Sequence, residues 1–99
     1  MSYYRLDGHT PVRCTLLEWA EFCETEYVAR TVDITTVAGR GEVRTLFHGH
    51  DPYAAPDAPA PRLFGTLVLR NGQGWQEYLY ATWDEAAASH ARFVAALKQ

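Results

Sequence analysis

No stretch of this 99-residue chain approaches the ~20 consecutive apolar residues that span a bilayer as a helix, which argues against a membrane-spanning segment. The opening "MSYYRLDGHT" also lacks the apolar core of a secretory signal, so a soluble, cytoplasmic protein is expected. Basic charge is scarce. Nine Lys and Arg against twelve Asp and Glu leave a net charge of −3, and the basic residues are scattered. Nucleic-acid phosphates need a concentrated basic patch, so no nucleic-acid partner is expected. The same charge is too small for a mimic of DNA. Cysteine is limited to Cys14 and Cys23, without the CxxC spacing of zinc or redox motifs. Along a helix they would stand more than ~10 Å apart, beyond the ~7 Å Cα limit for a disulfide, so two buried free thiols are expected. There is no nucleophile elbow, P-loop, dinucleotide fingerprint or HExxH, and no catalytic residue is assigned.

What is present is an ordinary globular composition, 47 % apolar and 21 % charged, with aromatics at 13 %. The length suits one domain over residues 1–99. Three tryptophans, six tyrosines and four phenylalanines fill a core this small, and rings left over at a surface hint at an interface.

The periodicities define seven elements. "SYYRL" (Ser2 to Leu6) reads as an edge strand, followed by a turn at Asp7-Gly8 and Pro11. Thr15 and Glu18 form a capping box at the start of a helix over Thr15 to about Thr25, with Leu16, Trp19, Ala20, Cys23 and Tyr27 on one face. Two β-prone runs, Tyr27 to Val37 and Glu42 to His50, flank the "AGRG" turn; Val28, Val32 and Ile34 share one face, as do Val43, Thr45 and Phe47. Residues 51–62 carry four prolines and read as an extended surface loop. A second hairpin, "LFGTLVLR", "NGQG", "WQEYLYAT", precedes a helix capped by Thr82 and Glu85. Its stripe is Trp83, Ala87, His90, Val94 and Leu97, beside Ala86 and Phe93. Asp84 and Glu85 read as first-turn charges favoured by the helix dipole. The order β-α-β-β-β-β-α predicts a two-layer α+β domain, an antiparallel sheet of about four to five strands with both helices on one face.

The candidate chemistry centres on "LFHGHDPY" (Leu46 to Tyr53). In a strand continued through His50, His48 and His50 would project from Leu46's face, about 7 Å apart. With Asp51 as a third ligand they would hold a divalent metal; His9 or Asp57 would complete the set if the fold brought either close. The competing reading makes these histidines part of a solvated face with Glu42 and Arg44. His90, within an apolar stripe, is expected to bond to a neighbouring carbonyl or tyrosine. Trp75, with Tyr78 and Tyr80 nearby, is a candidate lining of a binding surface, as are His48, His50 and Tyr53.

The pieces "YYRLDG", "LLEWAEFCET", "VART", "LFGTLVL" and "YATWDEAAASH" together resemble, in order, an uncharacterised family of small hypothetical proteins of bacteria and phages. That resemblance implies no catalytic signature, and its phage setting implies an accessory role such as counter-defence. Two departures stand out: "FHGHDP" where such proteins tend to read "FLGLDH", and Phe64-Gly65-Thr66 where they tend to read "FET". The leading expectation is a non-enzymatic binding protein without cofactor, engaging a protein or small-molecule partner through its open sheet face, the proline-rich loop and exposed aromatics. Homodimerisation would cover that face. The alternative is a metal-binding or metal-dependent hydrolytic domain built on His48 and His50.

Overall fold

The computed structural model describes residues 2–54 and 60–99. Its elements, in chain order, are β1 (Tyr3–Asp7), β2 (Thr10–Cys14), α1 (Leu16–Thr25), α2 (Tyr27–Arg30), β3 (Thr31–Val37), β4 (Gly41–Phe47), β5 (Phe64–Arg70), β6 (Trp75–Tyr80) and α3 (Trp83–Leu97). The last four strands form an antiparallel sheet in the order β3-β4-β5-β6, while β1 and β2 pair as a separate hairpin. The expected two-layer α+β arrangement is present: α3 lies along one face of the larger sheet.

The sheet's covered face is built from rows fixed by register. Val43 sits opposite Val68, Thr45 opposite Thr66 and Phe47 opposite Phe64. The outer two rows seed the two apolar clusters. Phe47 and Phe64 pack with Leu6, Leu63 and Ala86, and Val43 and Val68 pack with Leu97. The hairpin and α1 close one end of the sheet rather than covering a face. Leu6 enters the core from β1, Phe22 of α1 meets Phe47 edge-on, and His9 at the hairpin turn stacks on Trp83 with ring centroids 3.6 Å apart.

Three details depart from the sequence reading. "TPVRC" is strand β2 rather than turn, because Gly8-His9 alone reverses the chain, with Asp7 opposite Thr10, and pairs it with β1. Tyr27–Arg30 is a helical turn, α2, held where the Thr31 hydroxyl donates to the Tyr27 carbonyl at 2.7 Å. Strand β3 therefore starts at Thr31 and Val28 is exposed; a register shift between Thr31 and Asp33 also separates Val32, which packs against the Phe47 and Phe64 cluster, from Ile34, which lies opposite Arg44 on the other face. Since α1 meets only the end of the sheet, Leu16, Ala20 and Tyr27 of its expected stripe are exposed, whereas Trp19, Phe22 and Cys23 are half-buried. Cys14 and Cys23 are free, as expected, but half-buried rather than enclosed. The capping box at Thr15 and Glu18 forms in full. At Thr82 the hydroxyl accepts from the Glu85 amide at 3.1 Å and donates to the Glu85 carboxylate.

Between the apolar clusters runs a polar row. Thr45 and Thr66 are fully buried and share a hydrogen bond of 2.9 Å between their hydroxyls. His90 reaches this row from α3: Nδ1 meets the Thr45 hydroxyl at 2.8 Å, and Nε2 meets the Thr35 hydroxyl at 2.9 Å. Its partners are thus threonines, not the carbonyl or tyrosine expected; Tyr80 instead accepts from the Ser89 hydroxyl. Burial lowers the His90 pKa, and the Asp33 carboxylate, 3.6 Å away and mostly exposed, only partly opposes that.

A buried neutral histidine makes stability depend on pH. In the unfolded chain His90 titrates near its ordinary value of about 6.5. Its contribution is therefore complete above about pH 6.5 and is lost as pH falls through the lower folded value, with a slope of at most about 1.4 kcal/mol per pH unit. Urea unfolding at pH 7.5 and 5.5, for the native protein and His90→Gln, checks this. The native protein is expected to lose more stability across the interval than the variant.

Candidate binding surface

Strand β4 ends at Phe47, and the chain leaves the sheet through His48, Gly49 and His50. Gly49 makes the exit. Its φ of +74° turns the backbone out of line, and the amides of His48 and Gly49 both reach the Leu63 carbonyl, at 2.7 and 3.2 Å. The carbonyls thereby released from the ladder are taken by side chains. Arg30 Nε donates to the Phe47 carbonyl at 3.0 Å and Trp19 Nε1 to the His48 carbonyl at 2.8 Å, while the Tyr4 amide reaches the Gly49 carbonyl at 2.8 Å. One turn in "HGH" thus docks α2, α1 and the hairpin onto the end of the sheet.

This docking leaves a cleft of about 380 Å³ between α1 and the sheet end. It is lined by Trp19, Cys23 and Arg30 on one side and by His48, His50, Tyr53, Arg62, Glu77 and Leu79 on the other. His48 lies across Gly65 to meet Glu77 on β6 at 3.1 Å; a Cβ at Gly65 would come within 2.4 Å of the His48 Nε2. His50 goes the other way. Its ring stacks on Tyr3 at 5.1 Å and meets Trp19 edge-on at 5.9 Å. His50 Nδ1 is buried and has no hydrogen-bond partner among the described residues. Burial raises the Cys23 pKa and Arg30 opposes it less, so the cleft holds a thiol rather than a thiolate nucleophile.

The cleft opens onto the sheet face opposite α3. Register places Arg44, Leu67 and Glu77 in one row across β4, β5 and β6 of that face. Leu46, Gly65 and Leu79 form the next row, and Glu42, Leu69 and Trp75 the row beyond Arg44. Ile34 on β3 extends the Arg44 row and is 40 % exposed; Trp75 is 46 % exposed. Arg44 bonds Glu42 at 2.8 Å and reaches diagonally to within 5.8 Å of the Trp75 ring centroid. Among the described residues no helix or strand packs over the middle of this face.

The fold gathers three of the six candidate binding residues, His48, His50 and Tyr53, around the cleft. Trp75 stands further along the uncovered face. Tyr78 and Tyr80 have the opposite parity and point toward α3, where Tyr78 meets the Phe93 ring at 4.7 Å and Tyr80 bonds Ser89. The cleft's other contributors, Trp19, Arg30, Arg62 and Glu77, carry no motif. Trp19 reads as core from its helical stripe, and nothing local marks Arg30 as a ligand for the end of β4.

The metal reading fares differently. The turn at Gly49 breaks the parity that put both histidines on one face, and Asp51 is committed elsewhere. Its carboxylate, buried at the loop base, accepts from the Tyr53 amide at 3.0 Å and the Arg62 amide at 2.8 Å, with Arg62 Nε 3.6 Å away. His9 is occupied by Trp83, and Asp57 lies outside the described residues. No group of three or more His, Cys, Asp or Glu side chains among the described residues converges on a point where a metal could sit.

Asp51 instead ties the two ends of the proline-rich loop together. Burial raises its pKa, but the Arg62 and Tyr53 amides and the Arg62 guanidinium outweigh that and hold it below the usual carboxylate range. Its contribution is present above about pH 4, the ordinary aspartate value, and is lost as pH falls through the lower folded value. Asp51→Asn keeps one oxygen for two amides and is expected to cost about 2 kcal/mol at neutral pH in urea unfolding. The deficit should shrink in acid, where the native carboxyl is also protonated.

No helix among the described residues is long and apolar enough to cross a membrane. Compared with family models, curated proteins and solved structures, the chain matches none.

Proposed function

We propose that this chain is a non-enzymatic binding protein whose binding face is the uncovered side of the four-stranded sheet, and that the occupant of this face is a second copy of the chain. The supporting observation is the order of residues in the central row: Arg44, Leu67, Glu77, that is cation, apolar centre, anion. Consider two such faces packed at about 10 Å, related by a two-fold axis running along β5. The axis exchanges β4 with β6, so Arg44 of each chain faces Glu77 of its mate and Leu67 faces Leu67. In the flanking row Leu46 faces Leu79, and Leu69 meets Leu69 in the row beyond. A two-fold axis running across the strands would instead stack Arg44 on Arg44 and Glu77 on Glu77, which like-charge repulsion disfavours. One of the two simple arrangements is thus self-complementary in charge and in apolar contact, as an isologous interface requires.

The interface is modest. Four strands of six or seven residues present a footprint of roughly 400 Å² per chain before side-chain relief is counted. Over both chains that is about 800 Å², below the roughly 1,200–2,000 Å² of stable specific interfaces, so the association is of the weak, transient class. A dissociation constant on the order of micromolar is expected. Sedimentation equilibrium of the native protein tests the proposal. A rise toward twice the 11.2 kDa chain mass with concentration supports it, and a constant single-chain mass contradicts it.

A further inference from the structure

The cleft beside α1 has a chemistry distinct from the sheet face. Arg30 anchors one wall, and its Nε is spent on the Phe47 carbonyl. Among the described residues no carboxylate pairs with Arg30, whereas Arg44 has Glu42, Arg62 has Asp51 and His48 has Glu77. Among the described residues Arg30 is therefore the cleft cation without a carboxylate partner, and a guanidinium's remaining donors form a fork suited to an anionic group. The neighbouring walls are flat. Trp19 and Tyr53 supply aromatic surface, and Leu79 and Pro52 supply apolar surface. His50 adds a buried ring nitrogen without a partner among the described residues, an unmet hydrogen-bonding group of the kind that native structures normally satisfy. A volume of about 380 Å³ lies within the usual range for small-molecule sites, about 300–1,000 Å³.

We propose that this cleft binds a small molecule carrying one anionic group, a carboxylate or a phosphate, on a flat apolar body. The anion lies against Arg30, and the body rests on Trp19 and His50. The inference is separable from self-association: the cleft shares Glu77 and Leu79 with the uncovered face, but the groups that hold the ligand, Arg30, Trp19 and His50, lie on α2, α1 and the "HGH" turn.

The test is a titration followed by ¹H–¹⁵N NMR, read at the Trp19 indole N–H and the His50 amide. Phenyl phosphate, benzoate and neutral benzyl alcohol serve as probes, on the native protein and on Leu67→Glu, whose uncovered face is disrupted. Either anion is expected to give saturating shifts at both reporters, at least about tenfold tighter than benzyl alcohol, consistent with one charge-assisted contact. The anion that binds more tightly identifies the headgroup. Arg30→Gln should weaken anion binding by about tenfold or more, Arg30→Lys should retain part of it, and Arg92→Gln, exposed on α3, should leave it unchanged. Equal binding of the neutral probe, or no saturable shift with either anion, overturns the proposal; both readings use the native protein and do not depend on a variant folding. Loss of anion binding in Leu67→Glu alone would instead tie the cleft to the paired state and overturn its independence.

Discussion

Glutamate in place of Leu67 is expected to weaken self-association by about 100-fold or more while leaving the chain folded. Leu67 occupies the middle of the uncovered face, between Arg44 and Glu77, and in the proposed pairing it meets its own copy across the two-fold axis. The substitution removes apolar contact at the centre from both chains at once, and it places two carboxylates face to face where water is excluded. Each effect alone is worth on the order of 1–3 kcal/mol. The fold should tolerate the change, because Leu67 points away from the core rows of Val43, Thr45 and Phe47, and the attraction of a Glu there to Arg44 on β4 offsets its repulsion from Glu77 on β6. Leu67→Ala should show a smaller loss, roughly tenfold. Ala88→Glu, on the exposed side of α3 in the opposite layer, should show none. Sedimentation velocity at a common concentration reads all three.

The second large effect is expected at Gly49. Alanine there faces two separate problems. The backbone φ of +74° costs an L-residue about 1 kcal/mol or more. A Cβ would also stand 2.5 Å from the Tyr4 carbonyl oxygen and 2.8 Å from the Trp19 ring, so the hairpin and α1 must move off the sheet end. The expected total is about 3 kcal/mol in chemical denaturation. Gly72→Ala separates the two terms. Its φ is +81°, but nothing lies within 4 Å of its Cβ position, so only the backbone cost of about 1 kcal/mol should appear. If the two alanines cost the same, contact at Gly49 does not organise the sheet end as described. Because Trp19 and His50 line the cleft from either side of this turn, Gly49→Ala should also abolish saturable binding there.

The residues differ in how legible their roles are from sequence. Period-2 alternation in Val43, Thr45 and Phe47 predicted the covered face correctly, because parity within a regular strand is a local property. The capping box at Thr15 and the span of the last helix were legible for the same reason. Tyr27–Arg30 was not: β-branched residues on both sides favour a strand, and a hydrogen bond from Thr31 back to Tyr27 holds a helical turn instead. Parity failed again at His48 and His50, where a single glycine with positive φ sends two rings to different neighbours. Parity holds for Tyr78 and Tyr80, which alternate with Trp75 along β6 and so face α3 rather than the surface on which Trp75 stands. Arg30, Trp19 and Glu77 reach the cleft only through contacts long in sequence, and no spacing announces these.

The buried row of Thr45, Thr66 and His90 has a further physical role. A polar row between two apolar clusters is stable only in the register that satisfies every member, so sliding β5 against β4 would leave hydroxyls unpartnered. The register that fixes this row also fixes Arg44, Leu67 and Glu77 on the other side of the same strands. Fold specificity and the proposed self-association thus rest on one alignment of β4, β5 and β6.

Sedimentation equilibrium of the native protein from about 1 µM to about 500 µM, a range that brackets a micromolar dissociation constant, tests the central claim most directly. The expected apparent mass rises from 11.2 kDa toward twice that value, with Leu67→Glu remaining at the single-chain mass throughout. A native protein that stays at 11.2 kDa across the range, or a Leu67→Glu protein that associates as the native one does, would contradict it.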